Sequence, residues 1–247
     1  MAGSIACVTN SVAGVQRPQA GDTRDGQALV IAVDGPSGSG KSSAARGTAS
    51  ALGLRYLDTG AMYRAVTWWM LEHDVDLSDE GAVAAHTIPL TIQISTDPAA
   101  QWVRVDGIDV TGQIRTRRVS NVVSLVAAVP QVRADLIGRQ QAVIAAAAGA
   151  GGIVAEGRDI GTVVAPAAAV KVFLTASELA RAQRRTAELS EAPSASVTRA
   201  EQAQRDRRDA PQSQMAADAV RIDATDLGLG EVIERIVGLV TAKRAGS

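Results

Sequence analysis

Cysteine is almost absent from this 247-residue chain: Cys7 stands alone, which excludes an intrachain disulfide and a cysteine-based zinc site. Histidine is nearly as scarce, and His73 and His86 have no metal-ligand spacing around them. Lysine is rare too. Of 25 basic residues only Lys41, Lys171 and Lys243 are lysines, so 22 are arginines, whose planar fork matches phosphate. An excess of either charge is also missing: 25 basic against 26 acidic residues give a net charge of −1. No global field is available to hold nucleic acid or an anionic membrane, so anion recognition must be local. Long hydrophobic runs are lacking as well. No charge-free stretch is longer than Gln140 to Ala155, which is too short to span a membrane and is broken by Gly149, Gly151 and Gly152. The opening MAGSIACVTNSVAGVQ has neither a basic start nor an apolar core, so an unexported, cytoplasmic protein is expected, with no membrane or nucleic-acid partner.

What is present is ordinary globular material, 46% hydrophobic and 21% charged, which excludes disorder, collagen and coiled coil. Residues 1–27 mix small polar residues without periodicity and read as a flexible tail; residues 28–247 read as one domain. ALVIAVDG then opens as a strand buried on both faces, and RYLD, GGIVAE, AVKVFL and AVRID recur as short strands between helical patterns. Such alternation predicts βαβ units and a doubly wound parallel sheet. TIQIST, QWVRVDG and IDVT alternate apolar and polar residues around Asp97-Pro98 and Asp106-Gly107, which predicts a small antiparallel insert at about 86–117. One helical segment is expected over about 119–147, and an Arg/Glu-rich helical one with little apolar stripe over about 177–209, solvated and mobile. Val232, Ile233, Ile236, Val237 and Val240 mark a closing amphipathic helix. No apolar stripe is left over, so a monomer is expected.

The first strand runs into Gly35-Pro36-Ser37-Gly38-Ser39-Gly40-Lys41-Ser42-Ser43, a G-x-x-x-x-G-K-[ST] loop ahead of an alanine-rich helix. Glycines there let backbone N–H groups turn in around phosphate at the positive end of the helix dipole; Lys41 reaches the outer phosphates and Ser42 offers Mg²⁺ a hydroxyl. A nucleoside triphosphate is therefore the expected ligand. Neither the switch and base motifs of a GTPase nor a hydrophobic run ending in Asp-Glu, as in large ATPases, is found. Two further loops, Asp58-Thr59-Gly60-Ala61-Met62-Tyr63-Arg64 and Glu156-Gly157-Arg158-Asp159-Ile160-Gly161-Thr162, each join an arginine to a carboxylate after a strand. Loops at the carboxyl ends of neighbouring strands share one crevice, so Arg64 and Arg158 can grip a second phosphate opposite the triphosphate. For either arginine alone, an ion pair with Asp58 or Asp159 is an equal alternative.

Taken in order, IAVDGPSGSGKSS, YLDTGAMYRAV, DVTGQIRT, VSLVAAVPQVR, EGRDIGTVV followed by Pro166, KVFLTAS, LARAQRR and QRDRRD resemble the cytidylate kinase family, the bacterial (d)CMP kinase branch of the nucleoside monophosphate kinases. The resemblance implies a P-loop α/β fold with a five-stranded parallel core, a monophosphate-binding region carrying the insert, and a helical lid. It implies transfer of the γ-phosphoryl of ATP to CMP or dCMP, with Mg²⁺. By that resemblance, Arg64 and Arg158 clamp the acceptor phosphate, Asp58 and Thr59 belong to the CMP site, and Ser124, Arg133 and Asp159 read the cytosine edge. Arg205 and Asp209 meet the sugar hydroxyls, and Arg181 and Arg185 close over the phosphates. A carboxylate at the cytosine edge makes chemical sense: cytosine N4 donates to it, whereas uracil O4 would face it unpaired.

One departure stands out. The family carries an arginine shortly after the position of Asp209, whereas Asp209 here runs into Ala210-Pro211-Gln212-Ser213, which leaves Arg208 or a lid arginine to supply that charge. Asp34 and Asp58 are further candidates for holding magnesium-bound waters. The competing readings are a kinase for UMP, AMP or shikimate, and a P-loop protein that binds nucleotide only to regulate.

Overall fold

The computed structural model describes residues 28–86, 90–147, 149, 151–188 and 195–246, with side chains outside that description at 185–188, 195–199 and 201. The tail expected at 1–27 and residues 87–89 of the insert lie outside the described residues. Five strands, β1 (Leu29–Asp34), β2 (Arg55–Asp58), β6 (Gly152–Gly157), β7 (Val170–Thr175) and β8 (Val220–Asp223), form one sheet in the order β2-β6-β1-β7-β8. All its pairings are parallel. From β1 the chain crosses to β2 and fills β6 on one side, then moves to β7 and β8 on the other. The strand order therefore reverses at β1, and the crevice of a doubly wound sheet opens beyond Asp34.

Alternation along β1 assigns each residue to a face. Ile31 and Val33 pack under α1 (Lys41–Leu52) and α8 (Leu229–Ala245), whereas Ala32 packs under α2 (Thr59–Glu72), α4 (Arg117–Ala128) and α5 (Pro130–Ala147). Val232, Ile236 and Val240 are the buried stripe of α8. The closeness of α1 and α8 rests on a small residue: a Cβ on Gly47 would stand 2.3 Å from Ile233 Cδ1.

The single helix expected over 119–147 is two helices. Val129 adopts φ −70°, ψ 121°, because the ring of Pro130 disfavours helical backbone in the residue before it. The insert is the expected meander, β3 (Ile92–Ile94), β4 (Val103–Val105) and β5 (Ile108–Asp109), after the short helix α3 (Glu80–Ala85). Its tight hairpin uses Asp106 and Gly107, both with positive φ (49° and 82°), the geometry of a two-residue turn matched to strand twist. Val103 and Val105 face the core.

The Arg/Glu-rich region forms α6 (Glu178–Glu188) and α7 (Ala195–Asp209), but it is not simply solvated. Arg181, Gln202 and Asp209 are buried, and α7 packs on α4. Polar groups dock this pair where an apolar stripe is missing, which a reading based on hydrophobic periodicity does not detect. Among the described residues no helix is long and apolar enough to cross a membrane.

Candidate active site

One cavity of about 450 Å³ opens at the carboxyl ends of β1, β2 and β6, where the strand order reverses. On one side lies the phosphate loop, with Ser37, Gly38, Gly40, Lys41, Ser42 and Ser43 on the wall. Gly35, Pro36 and Ser39 sit behind that wall; Gly35 presses so closely on Leu174 that a Cβ would lie 2.2 Å from its carbonyl oxygen. Gly38 and Gly40 have φ of +74° and +92°, conformations that L side chains rarely adopt, and Gly40 caps α1. The loop is thus held in a curl that only glycine takes without strain.

Lys41 is less exposed than a loop lysine is expected to be: its side chain is 14% accessible and lies 3.9 Å from Glu156 Oε2. Burial, then the nearby Arg158, pull its pKa down to about 8, against the opposing pull of Glu156. Glu156 is itself buried, accepts from Tyr56 OH at 2.9 Å and is hydrogen-bonded to the Ser42 hydroxyl. Burial raises the Glu156 pKa, and neighbouring Asp58 raises it further. Sequence reasoning noted Glu156 only as the start of a motif; the signal for its role is the parallel register that sets Asp58 beside Glu156 on β2 and β6.

Across the cleft, Arg64, Ser124, Arg133, Arg158, Asp159, Arg205 and Asp209 all line the same cavity. Their pairing differs from the simple alternative in which each arginine bonds the carboxylate of its own loop. Arg64 Nη1 donates to Ser120 Oγ at 3.0 Å. Arg158 Nε donates to Asp209 at 3.1 Å and its Nη1 to the Gly35 carbonyl at 2.6 Å, so one guanidinium joins the phosphate loop to the end of α7. Asp159 pairs with Arg133, and Asp209 Oδ1 accepts from Ser124 Oγ at 2.8 Å. Burial alone would raise the Asp209 carboxyl; Arg158, then Arg205, hold it below the usual range.

Asp58 and Thr59 line the cavity but already have structural work. Asp58 Oδ1 caps α2 by accepting from Ala61 N at 2.9 Å, and its Oδ2 accepts from Arg115 at 3.1 Å. Thr59 Oγ1 donates to the Glu156 carbonyl at 2.7 Å. Asp34 does not line the cavity: its two oxygens accept backbone N–H groups, from Ile160 and Gly161, at 2.8 Å each. Its role is to anchor the segment after Asp159. Burial pushes its pKa up to about 6 in spite of those two donors.

Of the lid arginines, Arg181 Nη1 donates to the Ser37 carbonyl at 3.1 Å and pairs with Asp206. The side chain of Arg185 lies outside the described residues, and the neighbour that meets the loop is one sequence reasoning passed over. Arg184 donates to the Ser39 carbonyl at 3.1 Å and to Ala224 O at 2.6 Å. Positions 184 and 185 lie three and four residues after 181, both neighbours of it on a helix, so spacing alone does not choose between them. Arg208 is exposed and off the cavity wall, so it does not replace the arginine missing after Asp209; Gln212 occupies that end of the wall. Arg115, Gln101 and Thr111 come from the insert and complete the rim.

The cytidylate kinase family model matches residues 31–242. A cytidylate kinase of Streptomyces griseus subsp. griseus is 48% identical over 223 residues, covering 89% of this chain and 95% of that one. A cytidylate kinase of Lactiplantibacillus plantarum is 42% identical over 229 residues, covering 90% and 98%. Among solved structures, a gluconokinase from Sinorhizobium meliloti 1021 aligns over 88% of this chain and 94% of its own at 17% identity, with a TM-score of 0.46. With a family model spanning nearly the whole described domain and relatives matched end to end, this chain belongs to the cytidylate kinase family.

Proposed function

We propose that this chain transfers the γ-phosphoryl group of ATP to CMP or dCMP, giving ADP and CDP or dCDP. The observation that carries the proposal is the single cavity with a phosphate loop on one wall and Ser124, Arg133 and Asp159 on the other, with Arg158 between them. In the reaction an oxygen of the acceptor phosphate forms a bond to the γ-phosphorus as the bond to the β–γ bridging oxygen breaks. The acceptor oxygen is already ionised at neutral pH, so no side chain need remove a proton. The protein's contribution is to align two anions and neutralise the charge that spreads between them.

Lys41 and the loop N–H groups hold the ATP phosphates, Arg64 holds the acceptor phosphate, and Arg158, bonded to the Gly35 carbonyl, is placed to serve both. Arg181 and Arg184 lie over the loop and keep water from the phosphoryl group. The donor set suits Mg²⁺, a hard cation that prefers oxygen: the Ser42 hydroxyl is the residue that would hold it, beside Glu156. When bound with ATP the ion supplies charge neutralisation on the phosphate oxygens. At the base, Asp159 accepts from cytosine N4 while Arg133 and Ser124 serve N3 and O2. Arg205 and Asp209 meet the sugar.

The test is ADP release from ATP with CMP, dCMP, UMP, AMP and shikimate in parallel. Turnover with CMP and dCMP well above the others is expected. Preference for UMP, AMP or shikimate overturns the acceptor assignment, and no acceptor-dependent release overturns the activity.

A further inference from the structure

Arg133 is held from two directions by parts of the chain that are distant in sequence. One terminal nitrogen of its guanidinium pairs with Asp159, on the segment after β6; the other, Nη1, donates to Gln212 Oε1 at 3.1 Å. Gln212 closes the single turn 210–212 that ends α7 and lies on the cavity wall. Three residues earlier, Asp209 accepts from Ser124. The last turn of the lid helix therefore bonds both Ser124 and Arg133, while Asp159 bonds Arg133 from the sheet side.

We infer that Gln212 is a positioning residue for base recognition: its amide oxygen fixes the plane of the Arg133 guanidinium, and so fixes the donor that Arg133 turns toward the acceptor base. The physical reason is geometric. A guanidinium bonded at one nitrogen only can still swivel about that bond, whereas a second acceptor on the other nitrogen leaves one orientation. The neutral amide suits this place because it accepts from Arg133 without setting a second carboxylate against the acceptor phosphate. An arginine here could not accept from Arg133 at all and would repel it. The inference rests on the cytidine monophosphate reading for the identity of the base, but the hold of Gln212 on Arg133 belongs to the empty protein and does not depend on it.

The full chain is compared with Gln212→Ala and Gln212→Glu in ADP-release assays with CMP and with UMP. In Gln212→Ala the KM for CMP is expected to rise about tenfold, the effect of one lost hydrogen bond to a charged group, with the KM for ATP unchanged and the preference for CMP over UMP reduced about as much. Gln212→Glu keeps the accepting oxygen, so its CMP/UMP preference stays near that of the parent. Nitrogen-15 relaxation of the Arg133 Nε–Hε group in the empty protein gives a readout independent of turnover, and faster motion in Gln212→Ala is expected. An unchanged CMP/UMP preference in Gln212→Ala, or a KM for ATP rising in parallel with that for CMP, overturns the inference, as does unchanged Arg133 motion. A parent chain that releases no ADP with CMP or dCMP overturns the proposed activity instead, and the relaxation comparison still decides whether Gln212 positions Arg133.

Discussion

On the proposed reading, Asp159→Asn separates base recognition from phosphate binding. Asp159 is 6% exposed, and its carboxylate has only accepting oxygens, one of them taken by Arg133. Asparagine keeps the shape, removes the charge and turns one oxygen into a donor. Toward cytosine N4 the variant loses a hydrogen bond to an ionised group in a buried place, about 1.5–3 kcal/mol. Toward uracil O4 it replaces a repulsive acceptor by a donor, a gain of about 1 kcal/mol. Since 1.4 kcal/mol is a factor of ten, the ratio of kcat/KM for CMP over UMP falls at least about tenfold, mainly through loss of CMP turnover. Weakening the pair with Arg133 also lowers stability by about 1–3 kcal/mol, and a domain of this size loses about 2–4 °C of Tm per kcal/mol, so assays are run well below the new melting point. Steady-state ADP release with each monophosphate at saturating ATP measures the ratio. Equal loss of both activities refutes the reasoning: Asp159 would then act on phosphate or structure, and selection would pass to Ser124 and Arg133.

Two further outcomes follow from the phosphate loop. Lys41 has a pKa of about 8 in the empty protein, so near pH 8.5 much of it is neutral; ATP phosphates restore the charge, and binding takes up protons. Calorimetry at pH 8.5 in buffers of different ionisation enthalpy detects this uptake, Lys41→Met abolishes it, and a binding enthalpy independent of buffer contradicts it. Gly38→Ala forces an alanine to φ +74° and sets its Cβ 2.8 Å from the Arg181 carbonyl, so a loss of at least about 1–2 kcal/mol and weaker ATP binding are expected; thermal melts and ATP titration matching the parent count against it.

The parallel sheet was legible because buried strands such as LVIAVD read as unbroken apolar runs, and the insert because its alternation and Asp106-Gly107 turn are local signals. Tight sterics fixed the phosphate loop just as locally. What sequence could not give was partnership across the cleft. Asp34 and Asp58 both end strands near the phosphates, and nothing local says that Asp34 is consumed by the N–H groups of Ile160 and Gly161, 126 and 127 residues away. The break at Pro130 was legible and overlooked, since apolar periodicity continues through it. The docking of α6 and α7 was missed for a deeper reason: periodicity registers burial of apolar groups, and these two helices bury Arg181, Gln202 and Asp209.

Those polar contacts explain how a chain with a net charge of −1 keeps so many arginines in one cavity. In the empty protein four cations of the cavity and its loop rest on carboxylates: Arg158 on Asp209, Arg133 on Asp159, Arg181 on Asp206 and Lys41 on Glu156. Unpaired buried charge is thereby avoided, and the site is preserved without substrate. An entering phosphate must compete with those carboxylates, so part of its binding free energy goes into exchanging partners. Arg158 and Asp209 carry the largest consequence. Asp209 ends the lid helix and also accepts from Ser124, while Arg158 also donates to the Gly35 carbonyl of the phosphate loop. On the proposed reading, an acceptor phosphate that drew on Arg158 would weaken the hold of the sheet on the end of α7 and act on the donor loop through the same guanidinium. Arg158 and Asp209 would then couple the two substrate sites, and loss of either is expected to alter the KM for both substrates together, in contrast to the effect proposed for Gln212, which is expected at the base alone.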